Sequence, residues 1–184
     1  MSTNRDQLVA GCLNAHSAAR RPATICAAIC DEKLDLLLLT ETWHERSDSV
    51  VLKNVTPSGY KYLDAPRPLP PDTNFQTLNV QNYGGLALIH RSGITVTQRQ
   101  LGISPTTFEY LCGFVKTSQK NFLLLGVYRP GSKRATTTFF DELSTVLDEV
   151  CVLQCPVILC GDFNIHVDDS DDSTTVQFSE LLKS

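Results

Sequence analysis

Short aliphatic runs alternate along the chain with segments whose apolar residues recur at helical spacing. Residues 8–15 form a short apolar run and predict a first strand. Arg21-Pro22 then opens a helix, because proline is tolerated in a first turn, and Ile25, Ala28 and Ile29 make its apolar face. Residues 35–42 (DLLLLTET) read as a buried strand. Residues 66–74 (PRPLPPDTN) carry four prolines, too many for a regular element, and predict a surface loop. Residues 85–90, 95–101, 110–116 and 121–128 then predict four strands with short connections, read as antiparallel hairpins, with a turn at Ser118-Gln119-Lys120. Phe139, Leu143, Val146, Leu147 and Val150 define an amphipathic helix that Pro156 ends. Residues 157–164 (VILCGDFN) are another buried strand, and residues 174–183 a final short helix.

The runs 36–39, 122–125 and 157–159 are uninterrupted aliphatic stretches, which implies cover on both faces. Partly antiparallel strands covered on both faces, with few helices, predict an α/β fold of two packed mixed sheets flanked by helices. A doubly wound nucleotide-binding fold fits less well. It needs a helix after nearly every strand and a glycine-rich phosphate loop, and neither G-x-G-x-x-G nor G-x-x-x-x-G-K-[ST] occurs.

Composition narrows the picture further. With 184 residues, 42% hydrophobic and 20% charged, the chain is the size of one domain and is neither disordered nor fibrous. Its longest aliphatic run is far below the roughly 20 apolar residues of a membrane span. The first residues lack the charged-then-apolar pattern of a secretion signal, so an intracellular protein is expected, with no membrane partner. Its seven cysteines are then expected to be unpaired, buried small hydrophobes. Two pairs have the spacing C-x-x-x-C (26/30 and 151/155), but too few further ligands lie near for zinc. Residues 161–184 carry six acidic residues and one basic, a balance of −5, against +1 for residues 1–160. That is not a passive nucleic-acid binder. A carboxylate site holding a divalent cation would still present positive charge to phosphate.

Polar residues at the ends of the apolar runs are the candidates for chemistry. They are Asn14, Glu41, Tyr128, and the pair Asp162 and Asn164. On extended chain, Asp162-x-Asn164 points both side chains one way and Phe163 the other. Carboxylates with amides beside them suit Mg²⁺ or Mn²⁺. Singly, each residue has an ordinary structural reading: Asn14 a turn former, Glu41 a helix N-terminal acid, Tyr128 a core ring, Asp162 and Asn164 caps. Their joint order carries the information.

That order resembles the endonuclease/exonuclease/phosphatase superfamily, the DNase I-like fold. The blocks are Leu13-Asn14, Leu39-Thr40-Glu41-Thr42, Gly84-Gly85-Leu86-Ala87, Val127-Tyr128-Arg129-Pro130 and Gly161-Asp162-Phe163-Asn164. Within it the phrases TETWHE, YGGLALIHRS, LLLGVYRPGS and VILCGDFNIHVDD resemble the endonuclease domain of non-LTR (LINE-type) retrotransposon polyproteins. The resemblance implies a four-layer α/β/β/α sandwich and Mg²⁺- or Mn²⁺-dependent nicking of DNA to prime reverse transcription. It implies a reverse transcriptase in the same polyprotein as partner, and a nuclear place of action. By the same resemblance Glu41 and Asp162 are the metal residues and Asn14 orients Glu41. Tyr128 bonds the scissile phosphate, Asp162 orients or deprotonates the attacking water, and Asn164 positions the phosphate. Arg129 and His166, beside matched positions, are candidate phosphate contacts. His16 also adjoins a matched position and matches no core residue of the family. The acidic run 168–172 lacks the central Gly and final Glu of an EF-hand loop and reads as solvated.

The family pattern ends in further strands with a terminal Asp-His pair, and this sequence has no Asp-His dipeptide. The expectation is therefore a domain incomplete at its C-terminus that cleaves DNA poorly. The alternatives are another phosphoesterase of the superfamily, acting on nucleotides, RNA or inositol phosphates, or a non-catalytic remnant.

Overall fold

A computed structural model describes residues 7–67, 83–132 and 134–183. From residue 68 on, the proline-rich segment lies outside the described residues. Eight strands form two sheets. β1 (Ala10–Asn14), β2 (Leu36–Thr40), β3 (Tyr60–Ala65) and β4 (Leu86–Arg91) make the first, in the order β1-β2-β4-β3. β5 (Thr95–Gln98), β6 (Glu109–Lys116), β7 (Asn121–Tyr128) and β8 (Val157–Asp162) make the second, in chain order. The helices are α1 (Pro22–Asp31), α2 (Val50–Asn54), α3 (Thr137–Cys151) and α4 (Ser173–Leu181).

Alternation along the strands produces the layers. Leu36, Leu38, Leu86 and Leu88 face inward onto Leu111, Val115, Phe122 and Leu124 of the other sheet. Leu37, Leu39, Ala87 and Ile89 face outward, where Ile25 and Ile29 of α1, one turn apart, cover them. Leu123, Leu125 and Val127 face outward from the second sheet under Phe139, Leu143, Val146 and Val150 of α3 and Phe178 of α4. The result is helix, sheet, sheet, helix. A Cβ at Gly126 would lie 2.7 Å from Leu38 Cδ1, so the sheets approach closely there because that strand position carries no side chain.

Each sheet contains one parallel pair joined through a helix. β1 and β2 flank α1, with Asn14 opposite Thr40. β7 and β8 flank α3, with Tyr128 opposite Asp162. The other pairings are antiparallel.

Four readings of the sequence are corrected. β4 and β5 are not a hairpin: β4 already has β2 and β3 on its two edges, so the short connection carries the chain into the other sheet. The sequence reading omitted β3, which has a weak Tyr60-x-Tyr62 alternation, and the short helix α2, capped when Ser49 Oγ accepts from Val51 N. β8 is an edge strand, and Ile158, on its inner face, is 41% exposed rather than covered on both sides. The seven thiols are all free, but only Cys112 is buried, because the helical cysteines lie off the apolar faces and Cys12 sits on edge strand β1.

Burial pushes the Cys112 thiol up to about 11, and burial with Cys12 nearby pushes Cys160 up to about 12. Thiolate is the reactive form. In timed alkylation of native protein followed by mass spectrometry, the exposed Cys30 and Cys151 should react first, with Cys112 and Cys160 last. Equal rates at all seven would contradict this packing.

Candidate active site

The two parallel pairs bring four strand ends to one rim. Asn14 ends β1 and Glu41 follows β2, both from the first sheet. Tyr128 ends β7 and Asp162 ends β8, both from the second. The side chains meet across the gap. Asn14 Nδ2 donates to Glu41 Oε1 at 2.9 Å and to Asp162 Oδ2 at 2.8 Å. One amide therefore uses both hydrogens on two carboxylates that would otherwise repel. Asn14 Oδ1 accepts from His16 N at 3.0 Å, which fixes the amide's orientation. Asp162 Oδ1 accepts from Asn164 N at 3.1 Å.

Tyr128 occupies two environments. Its ring is buried in the core between the sheets, so it does not simply line the cleft. Its hydroxyl donates to Tyr83 O at 3.2 Å and lies within reach of Glu41. Burial, then the Glu41 charge, raise its pKa above the ordinary phenol range. The group stays a neutral O–H donor at physiological pH.

Asn164 is exposed, and its Nδ2 donates to Arg129 O at 2.7 Å. Arg129 is the clearest departure from the sequence reading. It is 5% exposed and turned inward. Its Nε donates to Phe163 O at 2.6 Å, and its Nη atoms donate to Asn164 O at 2.5 Å and Pro130 O at 3.3 Å. Its guanidinium also lies over the Phe139 ring at 5.6 Å. It clamps the chain that presents Asp162 and Asn164, and is not placed as a phosphate contact. His166 is exposed on the following loop and is anchored through its carbonyl, which accepts from Thr175 Oγ1 at 2.8 Å.

The backbone here is strained. His16, Ser17, Glu41, Trp43 and Asn164 all have positive φ, between 43° and 79°. Each such non-glycine residue costs on the order of 1–3 kcal/mol, and such strain gathers at functional sites. Gly161 has φ 145°, and a Cβ there would lie 1.9 Å from Val127 O, so only glycine lets β8 turn Asp162 into the rim.

Sequence reasoning gave no role to His16. Its Nδ1 lies 3.2 Å from Glu41 Oε2, so the Glu41 carboxylate is held from both oxygens. The available signal was the spacing Asn14-x-His16 at a strand end. Trp43, two residues past Glu41, and Tyr83 were missed as well. Their rings contact each other, and Trp43 contacts His16.

Among the described residues no three or more His, Cys, Asp or Glu side chains gather as a metal-binding group. Two carboxylates with amides beside them still fit a hard cation such as Mg²⁺, which takes one or two carboxylates and leaves the rest to water and phosphate. They do not fit a closed zinc site.

Residues 9–182 match the model of the Endonuclease/Exonuclease/phosphatase family. No curated protein sequence matches the chain. Its fold is similar to that of the human Nocturnin catalytic domain, with TM-score 0.62 and 19% identity over 91% of this chain and 66% of that one. It is similar to the Neisseria 3' phosphatase NExo bound to product DNA hairpin, with TM-score 0.62 and 18% identity over 95% and 69%. It is also similar to a Bacteroides thetaiotaomicron mannosyl-6-phosphatase, with TM-score 0.63 and 15% identity over 95% and 70%. The chain spans about two thirds of the length of these structures. At these identities the likeness is one of fold. No described helix is long and apolar enough to cross a membrane.

Asn14→Asp tests the bridge. It removes both amide hydrogens and puts a third carboxylate among two, which raises a carboxyl pKa in the folded state. A raised carboxyl pKa means the folded state binds more protons than the unfolded one, so stability is lost as pH rises. Urea unfolding should show the variant destabilised at neutral pH, by about 1.4 kcal/mol for each tenfold gain in the carboxyl's proton affinity, with the deficit shrinking toward pH 4. A deficit independent of pH would contradict the geometry.

Proposed function

The chain belongs to the endonuclease/exonuclease/phosphatase family, and we propose that it is a divalent-metal-dependent phosphodiesterase, the DNA-nicking domain of a non-LTR retrotransposon polyprotein. The observation that carries the reading is the Glu41–Asn14–Asp162 bridge beside the Tyr128 hydroxyl. The retrotransposon branch rests on the phrases TETWHE, YGGLALIHRS, LLLGVYRPGS and VILCGDFNIHVDD. In that setting a reverse transcriptase in the same polyprotein would extend the nicked end, and the domain would act in the nucleus.

Glu41 and Asp162 are the side chains to hold Mg²⁺. Bound there, the cation supplies Lewis acidity toward a phosphoryl oxygen. The chain's own groups divide the remaining work. Asn14 and His16 fix the Glu41 carboxylate. Asp162, oriented by Asn14 and Asn164 N, accepts a proton from the attacking water. Tyr128, whose O–H rests on Tyr83 O in the free protein, turns it to a non-bridging phosphoryl oxygen and stays protonated as charge develops. Asn164, held on Arg129 O, keeps a second N–H for the phosphate.

The assay is nicking of supercoiled plasmid with Mg²⁺, with mannose 6-phosphate as a parallel substrate because the fold also serves a sugar phosphatase. It is run on this chain and on the chain extended by a relative's C-terminal segment. Mg²⁺-dependent nicking, abolished by Glu41→Ala and by Asp162→Ala, is the expected result. Tyr128→Phe should cost about 10²–10³-fold in rate, as removal of one oxyanion donor does. Phosphate release from the sugar with no nicking in either form would replace this reading, and nicking that survives Glu41→Ala would end the site assignment.

A further inference from the structure

Cys12 and Cys160 stand two residues before Asn14 and Asp162, and both face the gap between the sheets. Leu13 packs outward on the cluster under α1, so strand alternation sends Cys12 and Asn14 inward. Leu159 packs outward on the cluster under α3, so Cys160 and Asp162 turn inward, and Cys160 lies against the core between the sheets. The registers put the two thiols at one height. Cys12 pairs with Leu38, Leu38 meets Gly126 where the sheets lie close, and Gly126 pairs with Cys160. β1 and β8 are each an edge strand of their own sheet, and they lie against each other. The Gly161 N–H, one residue past Cys160, reaches the Cys12 sulfur. Two residues further along both strands, Asn14 Nδ2 meets Asp162 Oδ2 at 2.8 Å.

We propose that Cys12 and Cys160 are an oxidisable pair whose disulfide latches the two sheets together beneath the carboxylate bridge. The inference does not depend on the phosphodiesterase reading. Both thiols are free, Cys12 is exposed and Cys160 is half-buried, so a reagent in solvent meets Cys12 first. The oxidant is a small-molecule disulfide such as oxidised glutathione. Cys12 loses its proton and its sulfur attacks, which leaves a mixed disulfide and releases one glutathione thiol. Cys160 then loses its proton and attacks the Cys12 sulfur, which forms the protein disulfide and releases the second glutathione thiol. Two protein thiols are oxidised, and one glutathione disulfide is reduced to two thiols that take up the protons. The second step is intramolecular, so Cys160 needs no access to the reagent.

Cys12 and Cys160 are as far apart in sequence as Asn14 and Asp162, 148 residues. A cross-link that closes so long a loop removes much of the freedom of the unfolded chain. It also adds a covalent tie where the edges of the sheets are joined by the Asn14–Asp162 contact. The stability of the rim thereby follows the redox state of two thiols placed directly behind it.

The full chain is incubated in native buffer with oxidised glutathione, its remaining thiols are blocked, and the digest is mapped without reduction by mass spectrometry, with fragmentation to place each bond. The expected product is a monomer with Cys12 bonded to Cys160, reversed by dithiothreitol. Its urea midpoint should lie about 1 M above that of the reduced chain. Cys160→Ala should stop at the mixed disulfide on Cys12, with the midpoint unmoved by the oxidant. The linkage map needs no variant, so a Cys160→Ala chain that fails to fold leaves the test intact. Several results would overturn the latch: a mixed disulfide that accumulates on Cys12 of the parent, Cys12 bonded to Cys151 or Cys155, a Cys12–Cys12 bond between two chains, or a cross-linked chain with the midpoint of the reduced one. None of them bears on plasmid nicking or its Glu41 dependence.

Discussion

Two carboxylates from different sheets share the two hydrogens of one amide. Asn14 belongs to the first sheet, and its Nδ2 reaches Asp162, 148 residues later in the second, while holding its own neighbour Glu41. The contact forms only if both parallel strand pairs end at the same height and the sheets lie close together. Gly126 against Leu38 permits the approach, and the registers Asn14–Thr40 and Tyr128–Asp162 set the height. The aliphatic faces thus serve to bring four strand ends to one point as well as to stabilise the fold.

Holding charged groups on strained backbone requires support behind them. On the Glu41 side, buried His44 spans Thr42 Oγ1 at 2.6 Å and Asp64 Oδ2 at 3.1 Å, fastening the loop after β2 to β3. Glu109 accepts from Gly85 N at 2.6 Å while paired with Arg67, and this fixes the segment that receives Trp43 N and the Tyr128 hydroxyl. On the Asp162 side, Arg129 binds the carbonyls of Phe163 and Asn164. These polar groups are buried or half-buried and satisfied, which is the condition under which such networks stiffen a site.

The strand ends were legible because the chemistry stands where aliphatic runs stop: Asn14 after Gly11-Cys12-Leu13, Glu41 after DLLLLT, Asp162 after VILCG. Periodicity also located α1, α3 and most strands. What it could not give was neighbourhood. The 85–98 stretch reads as a hairpin because spacing is local, whereas the edges of β4 are taken by strands distant in sequence. Arg129 reads as a phosphate ligand by its place after Tyr128, but the strand that puts Tyr128 at the rim turns Arg129 inward, over the Phe139 ring and onto the carbonyls of Phe163 and Asn164. His16 and Trp43 were hidden because their role depends on left-handed backbone that no composition rule anticipates at His or Trp. The cysteines were expected to be buried from their apolar neighbours, yet helix phase and strand edges left all but Cys112 at least partly open.

The account turns on the Asn14–Asp162 contact as a joint between the two sheets, and a double-mutant cycle in urea measures it. Asn14→Ala, Asp162→Ala and the double variant are compared with the parent at neutral pH and low salt. A direct, charge-assisted contact predicts a coupling free energy of about 1 kcal/mol or more. Additivity within about 0.3 kcal/mol would mean the two side chains act independently, and the single-site account would be wrong.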